Sequence, residues 1–95
     1  MSQFYLVFRV HAIRRMFQRR ISEEDVKQVA TTGEMIETYP TNKPFPSRPI
    51  LGWSGARPIH VVAADNAQAQ ETIIVTVYQP NDAEWEAGFK RRKPQ

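Results

Sequence analysis

The fold is decided by residues 59–78, whose sequence is IHVVAADNAQAQETIIVTVY. The two ends of this stretch, Ile59–Asp65 and Thr72–Tyr78, are rich in β-branched residues, which favour strands. The polar stretch Asn66–Gln70 between them is short enough to be a hairpin loop. The pattern therefore predicts an antiparallel pair of strands near the centre of a sheet.

Further strands are predicted on either side of this pair. Phe4–Phe8 is an aromatic and β-branched run that predicts an opening strand. Glu34–Tyr39 alternates between polar and apolar residues well enough to predict a strand, and Ile50–Trp53 predicts a short one. Residues 41–49 contain three prolines and show no periodicity, so we expect a loop there.

The first of two predicted helices covers residues 11–20. Ile13, Met16 and Phe17 fall on one side of such a helix, and we expect that side to face the core. The opposite side, expected to face outward, holds His11, Arg14, Arg15, Gln18 and Arg19.

The second helix has a clear start and end. Ser22 is a good N-cap, and the acidic residues 23–25 suit the positive first turn of a helix. Val26 and Val29 supply a buried stripe. Gly33 follows at the position where a left-handed residue is expected to end the helix.

These elements predict a single α+β domain over residues 1–89, with a helix pair packed on one antiparallel β-sheet of about four to five strands. The expected order is β-α-α-β-β-β with a C-terminal short helix. That helix would open at Pro80 and carry Trp85 and Phe89 on one side. Residues 90–95 are expected to form a basic, flexible tail.

Composition excludes several classes of function. The chain has no cysteine, which rules out disulfides, thiolate nucleophiles and cysteine-bound zinc. Its two histidines are far apart and its four glycines match no nucleotide-binding loop, so we expect neither a metal site nor a cofactor. The longest apolar run is far too short for a membrane span, and we expect a cytoplasmic protein.

Positive charge is clustered in the sequence. The chain has 13 Lys and Arg residues, and they concentrate in residues 9–20 and 90–93, whereas the acidic residues gather elsewhere. Clusters of this kind attract phosphates or an acidic partner. The alternative is a solvated face followed by a basic tail, with no partner at all.

Arginines spaced by four residues line one face of the first helix. His11, Arg15 and Arg19 stack along that face, with Arg14 at its margin. Like charges at this spacing cost about 0.2–0.5 kcal/mol per pair, a cost that a bound polyanion would offset. The alternative is pairing within the fold, with Glu34, Glu37 or the carboxylates of residues 23–25.

Two strand residues could add chemistry. If Ile59 and Val61 point toward the helices, His60 points to the opposite face of the sheet. If that face is open, His60 could act there as a general acid or base. Tyr78 could be brought beside His60 by antiparallel pairing, where it could position a phosphate or a base. A packed, structural role is the alternative for both. Lys90, Arg91 and Arg92 are expected to add phosphate affinity.

Several separated motifs resemble the bacterial family called domain of unknown function 4258. The resemblance covers residues 11–89. Its pieces are His11-Ala12, Arg15-Met16, Arg19–Ser22, Glu24–Val26, Gly33–Glu37, Ile59–Val62, Thr76–Pro80 and Trp85.

That family is thought to be related to the RelE-like and BrnT-like toxins of toxin–antitoxin pairs, which are small ribonucleases that use no metal. The resemblance implies a RelE-like fold and an RNA-directed protein, a metal-independent endoribonuclease whose partners are RNA and an acidic antitoxin-like protein. It implies catalytic roles for His11, Arg15, Arg19, His60 and Tyr78. Two alternatives stay open: a non-catalytic module that binds an acidic protein or RNA, and a dimer formed through the edge of Phe4–Phe8.

Overall fold

The computed structural model describes residues 5–36, 47–91 and 93. The strands within these ranges form one five-stranded sheet in the order β1-β5-β4-β3-β2, so the predicted α+β class with its helix pair is confirmed. In chain order the elements are β1 (Tyr5–Phe8), α1 (Val10–Arg19), α2 (Glu23–Thr32), β2 (Glu34–Met35), β3 (Ser47–Ser54), β4 (Arg57–Asn66) and β5 (Glu71–Tyr78).

The central strand pair is as the sequence predicts. β4 and β5 pair antiparallel, with His60 opposite Tyr78 and Asn66 opposite Glu71. β4 also pairs antiparallel with β3 along its other side, which places it in the middle of the sheet. Residues 67–70 form the polar loop that joins β4 to β5.

The sheet is mixed, so the prediction of one antiparallel sheet is wrong for β1. This edge strand runs parallel to β5, with Leu6 opposite Thr72 and Phe8 opposite Ile74. A parallel pair needs a long connection, and here both helices and three strands lie between the two partners in the chain. A sequence pattern that reports only which residues form strands does not reveal this direction.

The start of β3 also differs from the predicted one. Residues 47–49 belong to β3 rather than to a loop, with Pro49 opposite Val62. Pro49 lacks an N–H, yet its carbonyl accepts a hydrogen bond from the Ile36 amide at 3.1 Å. The remainder of the predicted loop, residues 41–46, and residues 37–39 of the predicted strand lie outside the described residues.

The predicted C-terminal helix is absent from residues 80–91, which instead form a series of turns. The Asn81 side chain accepts a hydrogen bond from the Glu84 amide at 2.9 Å, which closes the first turn. Gly88 and Phe89 then have positive φ angles of 89° and 59°, which no α-helix accommodates. Trp85 is nevertheless buried, because the segment folds back on the sheet.

One face of the sheet carries the helices and the main core. α1 packs against β5, and α2 against β3 and β4. Burial of these apolar side chains is the dominant stabilising term of the fold. The buried cluster comprises Ala12, Ile21, Val26, Val29, Ile50, Ile59, Val61, Ala63, Ile74 and Val77.

α2 begins as predicted but ends differently. Ser22 is its N-cap, and Asp25 completes a capping box, since each residue's side chain accepts a hydrogen bond from the other's amide. Gly33 is not left-handed, with φ −73° and ψ 171°. It is required for space, because a Cβ there would lie 2.5 Å from the Val29 carbonyl oxygen and 2.7 Å from that of Leu51.

Candidate functional site

α1 is rotated relative to the predicted orientation. Ala12 is fully buried and Met16 partly buried, whereas Ile13 and Phe17 are 39% and 82% exposed. The prediction that Ile13 and Phe17 face the core is therefore wrong. Because Ala12 has only a methyl group, the helix backbone can lie close to β5. The larger side chains of Ile13 and Phe17, which directly follow Ala12 and Met16 in the sequence, then point toward solvent.

The C-terminal end of α1 is held by its own backbone and by β4. Arg20 adopts a left-handed conformation with φ 55°, and the Ile21 amide donates to the Met16 carbonyl at 2.9 Å, as in a Schellman motif. The guanidinium of Arg57 donates to the Arg20 carbonyl oxygen at 2.8 Å and also to that of Arg19. This cationic cap fixes where the helix ends.

The arginines of α1 and its flanks form no ion pair with any carboxylate among the described residues. Arg15 is partly buried and donates from Nη1 to the Gln18 side chain at 3.5 Å. The other members of the group are exposed. We refer to this group as the arginine cluster, and it consists of Arg9, Arg14, Arg15, Arg19 and Arg20.

Three of the carboxylates that could have neutralised the arginine cluster have other partners. Glu34 pairs with Lys90 at 3.1 Å, and Glu23 pairs with Lys27 at 3.8 Å. Asp25 accepts hydrogen bonds from the Ser22 amide and the Ser54 hydroxyl. Glu37 lies outside the described residues. The described part of the chain therefore gives no support to internal pairing.

The carboxyl group of Asp25 lies in a strongly polar environment. Burial raises its pKa, but hydrogen bonds from Ser22 and Ser54 and the positive charge of Arg57 together outweigh that effect. The pKa of Asp25 is therefore below its ordinary value, and the group stays ionised at neutral pH. It belongs to the structure of the α2 start rather than to the arginine cluster.

His60 is completely buried, and both of its ring nitrogens have protein partners. Nε2 lies 2.8 Å from the Phe89 carbonyl oxygen, which can only accept, so we assign the ring proton to Nε2. Nδ1 then accepts a hydrogen bond from the Tyr78 hydroxyl at 3.2 Å. The ring of Trp85 packs edge-to-face on the imidazole with centroids 4.4 Å apart.

The predicted site residues fall on two sides of the sheet. Ile59 and Val61 face the helices, so His60 between them faces away, and its cross-strand partner Tyr78 lies on the same side. The condition for a catalytic His60, an open face, is not met, because Trp85 and Phe89 cover it. His11, Arg15 and Arg19 lie on the helix side, and the structure does not gather all five residues in one cleft.

Arg19 is the member of the cluster that lies near the C-terminal segment. It lines a groove of about 470 Å³ together with Gln79, Asp82 and Phe89. Phe89 is the residue whose carbonyl accepts from His60. Of the predicted site residues on the helix side, Arg19 thus lies in the same groove as the residue that accepts the hydrogen bond from His60.

The cations of the C-terminal segment differ in what they can offer a ligand. Lys90 is paired with Glu34 across the surface. Arg91 is exposed, and its backbone carbonyl accepts from the Glu86 amide at 2.9 Å. The Lys93 amide donates to the Glu84 carbonyl at 2.9 Å, so the chain turns back here. Arg92 lies outside the described residues.

Sequence reasoning missed two features of this region. Arg57 was not predicted to matter, because the carbonyls that it caps are 37 and 38 residues away in the chain. The second is an apolar groove of about 620 Å³ beside α1, which follows from the rotation of the helix. It is lined by Phe8, Ile13, Met16, Phe17, Arg20, Ile21, Ser22 and Glu23.

Among the described residues, no group of three histidine or acidic side chains is arranged to hold a metal ion. The helices in the same part of the chain are too short and too polar to cross a membrane. What the described surface does offer a ligand is unpaired guanidinium groups next to exposed apolar side chains.

Comparison with known proteins gives a single kind of result. Neither curated proteins nor solved structures give a match to this chain. A family model does match, over residues 8–79, which span β1's last residue to the residue after β5. Since the match covers most of the chain, this protein belongs to the family described as Domain of unknown function (DUF4258).

Proposed function

We propose that the chain binds RNA, with the arginine cluster of α1 contacting the phosphates. The observation that carries the proposal is that these five guanidinium groups have no carboxylate partner among the described residues, whereas Lys27, Arg48 and Lys90 are all paired. Guanidinium donors match the geometry of phosphate oxygens. Repulsion along the helix is offset when an anion binds.

The spacing of the cluster suits a chain of phosphates better than a single anion. Arg15 and Arg19 are one helical turn apart, with Arg14 beside Arg15. Arg9 and Arg20 stand at the two ends of the helix. Cations distributed along an element about 15 Å long fit an extended polyanion, whose affinity then depends on how many phosphates are contacted.

Charge-matched variants test the proposal. We expect Arg14→Gln and Arg15→Gln each to weaken binding of a labelled 20-nucleotide RNA several-fold and to reduce the salt slope of log Kd by about one. Lys27→Gln removes the same charge from α2, where the lysine is exposed and paired with Glu23. It should leave affinity within about twofold.

Fluorescence anisotropy over a salt series measures both quantities. If all three variants bind alike, net charge alone attracts the RNA and the cluster is not an interface. If none of the proteins, including the unmodified chain, binds at moderate salt, the proposal is wrong.

A second candidate is the metal-independent endoribonuclease activity that the resemblance to RelE-like and BrnT-like toxins implies. The observation in its favour is that His11 is exposed and lies one turn from Arg15 on α1. In this version His11 takes the proton of a ribose 2′-hydroxyl, the oxygen attacks the adjacent phosphorus, and the 5′-oxygen leaves with a proton from water. Arg15 and Arg19 stabilise the added negative charge.

Cleavage and binding are separated by one assay. RNA incubated with the protein and a chelator should yield fragments ending in a 2′,3′-cyclic phosphate, and His11→Ala should abolish them. Intact RNA with unchanged binding would exclude the nuclease and leave the binding proposal in place. Induced expression extends the assay to the toxin idea: arrested growth that Arg15→Ala relieves supports it, and equal growth contradicts it.

A further inference from the structure

Within the described part of the chain, α1 carries an apolar stripe that is exposed to solvent. Val10, Ile13 and Phe17 are 66%, 39% and 82% exposed. They are neighbours on the helix surface because they are three and four residues apart. The phenylalanine ring is almost entirely in solvent, so it contributes little to the stability of the folded chain.

A groove begins where this stripe meets the rest of the protein. It has a volume of about 620 Å³, within the range of about 300–1,000 Å³ found for small-ligand sites. Five of its eight lining residues are apolar and come from α1, β1 and the α1–α2 junction, with Phe17 at the exposed side. A flat, largely apolar group is the kind of occupant that such walls favour.

The charged residues around the groove indicate which charged groups a ligand would carry beside that apolar group. Arg14 lies three residues before Phe17, at a neighbouring position on α1, and Arg20, directly after the helix, lines the groove together with Phe17. Neither has a carboxylate partner among the described residues. The groove lining contains one carboxylate, that of Glu23, which pairs with Lys27.

We propose that the groove receives an unstacked base of single-stranded RNA, stacked on Phe17, while Arg14 and Arg20 contact the phosphates on either side of it. This inference rests on the proposed function and names its substrate class. An aromatic ring between guanidinium groups is how proteins commonly bind single strands. A base in a duplex is already stacked and paired, so single strands should bind more tightly.

The test compares two single-stranded oligonucleotides of equal length and charge, one with bases and one with abasic sites in the central positions. We expect the unmodified protein to bind the first about tenfold more tightly, as loss of one base stack implies. Phe17→Leu should remove most of that difference without changing the salt slope of Kd. Arg14→Gln should weaken both oligonucleotides equally and lower the slope.

Tyr5→Leu is the matched control. Tyr5 is also an exposed aromatic residue, 74% exposed on β1, but it does not line the groove. This variant should keep the preference for bases. Circular dichroism checks that both leucine variants are folded, which we expect because each replaces a side chain that lies mostly in solvent.

The outcomes are distinct. If the abasic strand binds as tightly as the complete strand and Arg14→Gln weakens both, the RNA interface stands and the base site is wrong. In that case the groove is left for another occupant, such as an acidic helix of a partner protein. If neither strand binds, the proposed function and this inference both fail.

Discussion

His60 and Tyr78 face each other across the β4–β5 ladder, with Nδ1 3.2 Å from the phenolic oxygen, and the contact is part of the interior. The second imidazole nitrogen holds the Phe89 carbonyl at 2.8 Å. Through these two bonds the histidine ties the C-terminal segment to the sheet. His60 and Tyr78, which the sequence suggests as candidate site residues, therefore act in the structure as a support for the C-terminal segment.

The first prediction concerns this support. His60→Ala should lower the free energy of unfolding by about 2–4 kcal/mol, since it leaves a cavity beside Trp85 and an unpaired carbonyl at Phe89. Tyr78→Phe removes a hydroxyl and should cost about 1 kcal/mol. Urea unfolding followed by tryptophan fluorescence measures both changes.

His11→Ala is the control for the same experiment. His11 is exposed on α1, and a substitution there should change the free energy of unfolding by no more than about 0.5 kcal/mol. Equal stability of the two histidine variants would show that the imidazole of His60 does not hold the C-terminal segment in place.

The second prediction concerns the close approach of α2 to β3. A Cβ at Gly52 would lie 2.5 Å from Cγ2 of Val29, so Gly52→Ala forces two packed elements apart. We expect a loss of about 1–3 kcal/mol in the free energy of unfolding. Thermal or urea denaturation of the purified variant measures it.

A double-mutant cycle shows whether this contact is the cause. Val29→Ala removes the γ-methyl groups that the new Cβ would meet, so Gly52→Ala should cost clearly less in that background. A cost that is the same in both backgrounds would mean that Gly52 matters for a reason other than its contact with α2.

Local signals explain which parts of the fold were predictable. The start of α2 was predictable because Ser22 and Asp25 are three residues apart and the side chain of each accepts a hydrogen bond from the other's amide. The β4–β5 hairpin was predictable because its two strands are close in sequence. The parallel pairing of β1 was not, since it depends on β5, more than 60 residues later in the chain.

The same difference between local and long-range contacts decides which features of the candidate site were predictable. Arg14 and Arg19 belong to a local pattern and are exposed as the sequence predicts, whereas Arg15 is partly buried. The orientation of α1 depends on how Ala12 meets β5, so the exposure of Phe17 could not be read from helical periodicity alone. The burial of His60 depends on Trp85 and Phe89, which reach it through turns that resembled a helix in the sequence.

The third prediction concerns pH. The folded pKa of Asp25 lies below its ordinary value of 3.8, so the ionised group stabilises the fold at pH values above that figure. This contribution is lost as the pH falls through the folded pKa, because the carboxylate then takes up a proton in both states. The contribution of Asp25 to stability should therefore decrease as the pH falls from about 4 toward the folded pKa.

Asp25→Asn identifies the share of that pH dependence that comes from this carboxylate. The variant should be less stable than the unmodified chain at pH 6, and the gap should narrow toward pH 3, as measured by thermal unfolding across the range. A gap of constant size would mean that the charge of Asp25 contributes nothing and that only its shape at the helix start matters.

The last prediction separates the stability of α1 from its binding role. Arg20 has φ 55°, a left-handed conformation that costs an L-residue about 1 kcal/mol and glycine much less. Its guanidinium group belongs to the arginine cluster and lines the apolar groove. Arg20→Gly should therefore be more stable than Arg20→Ala by about 1 kcal/mol, while both variants lose RNA affinity several-fold.

Alanine keeps the unfavourable backbone conformation and removes the same charge, so a difference in stability reports the backbone and a common loss of affinity reports the guanidinium. If the two variants unfold alike, the left-handed cap carries no measurable cost; if they bind RNA as well as the unmodified chain, Arg20 is not part of the interface.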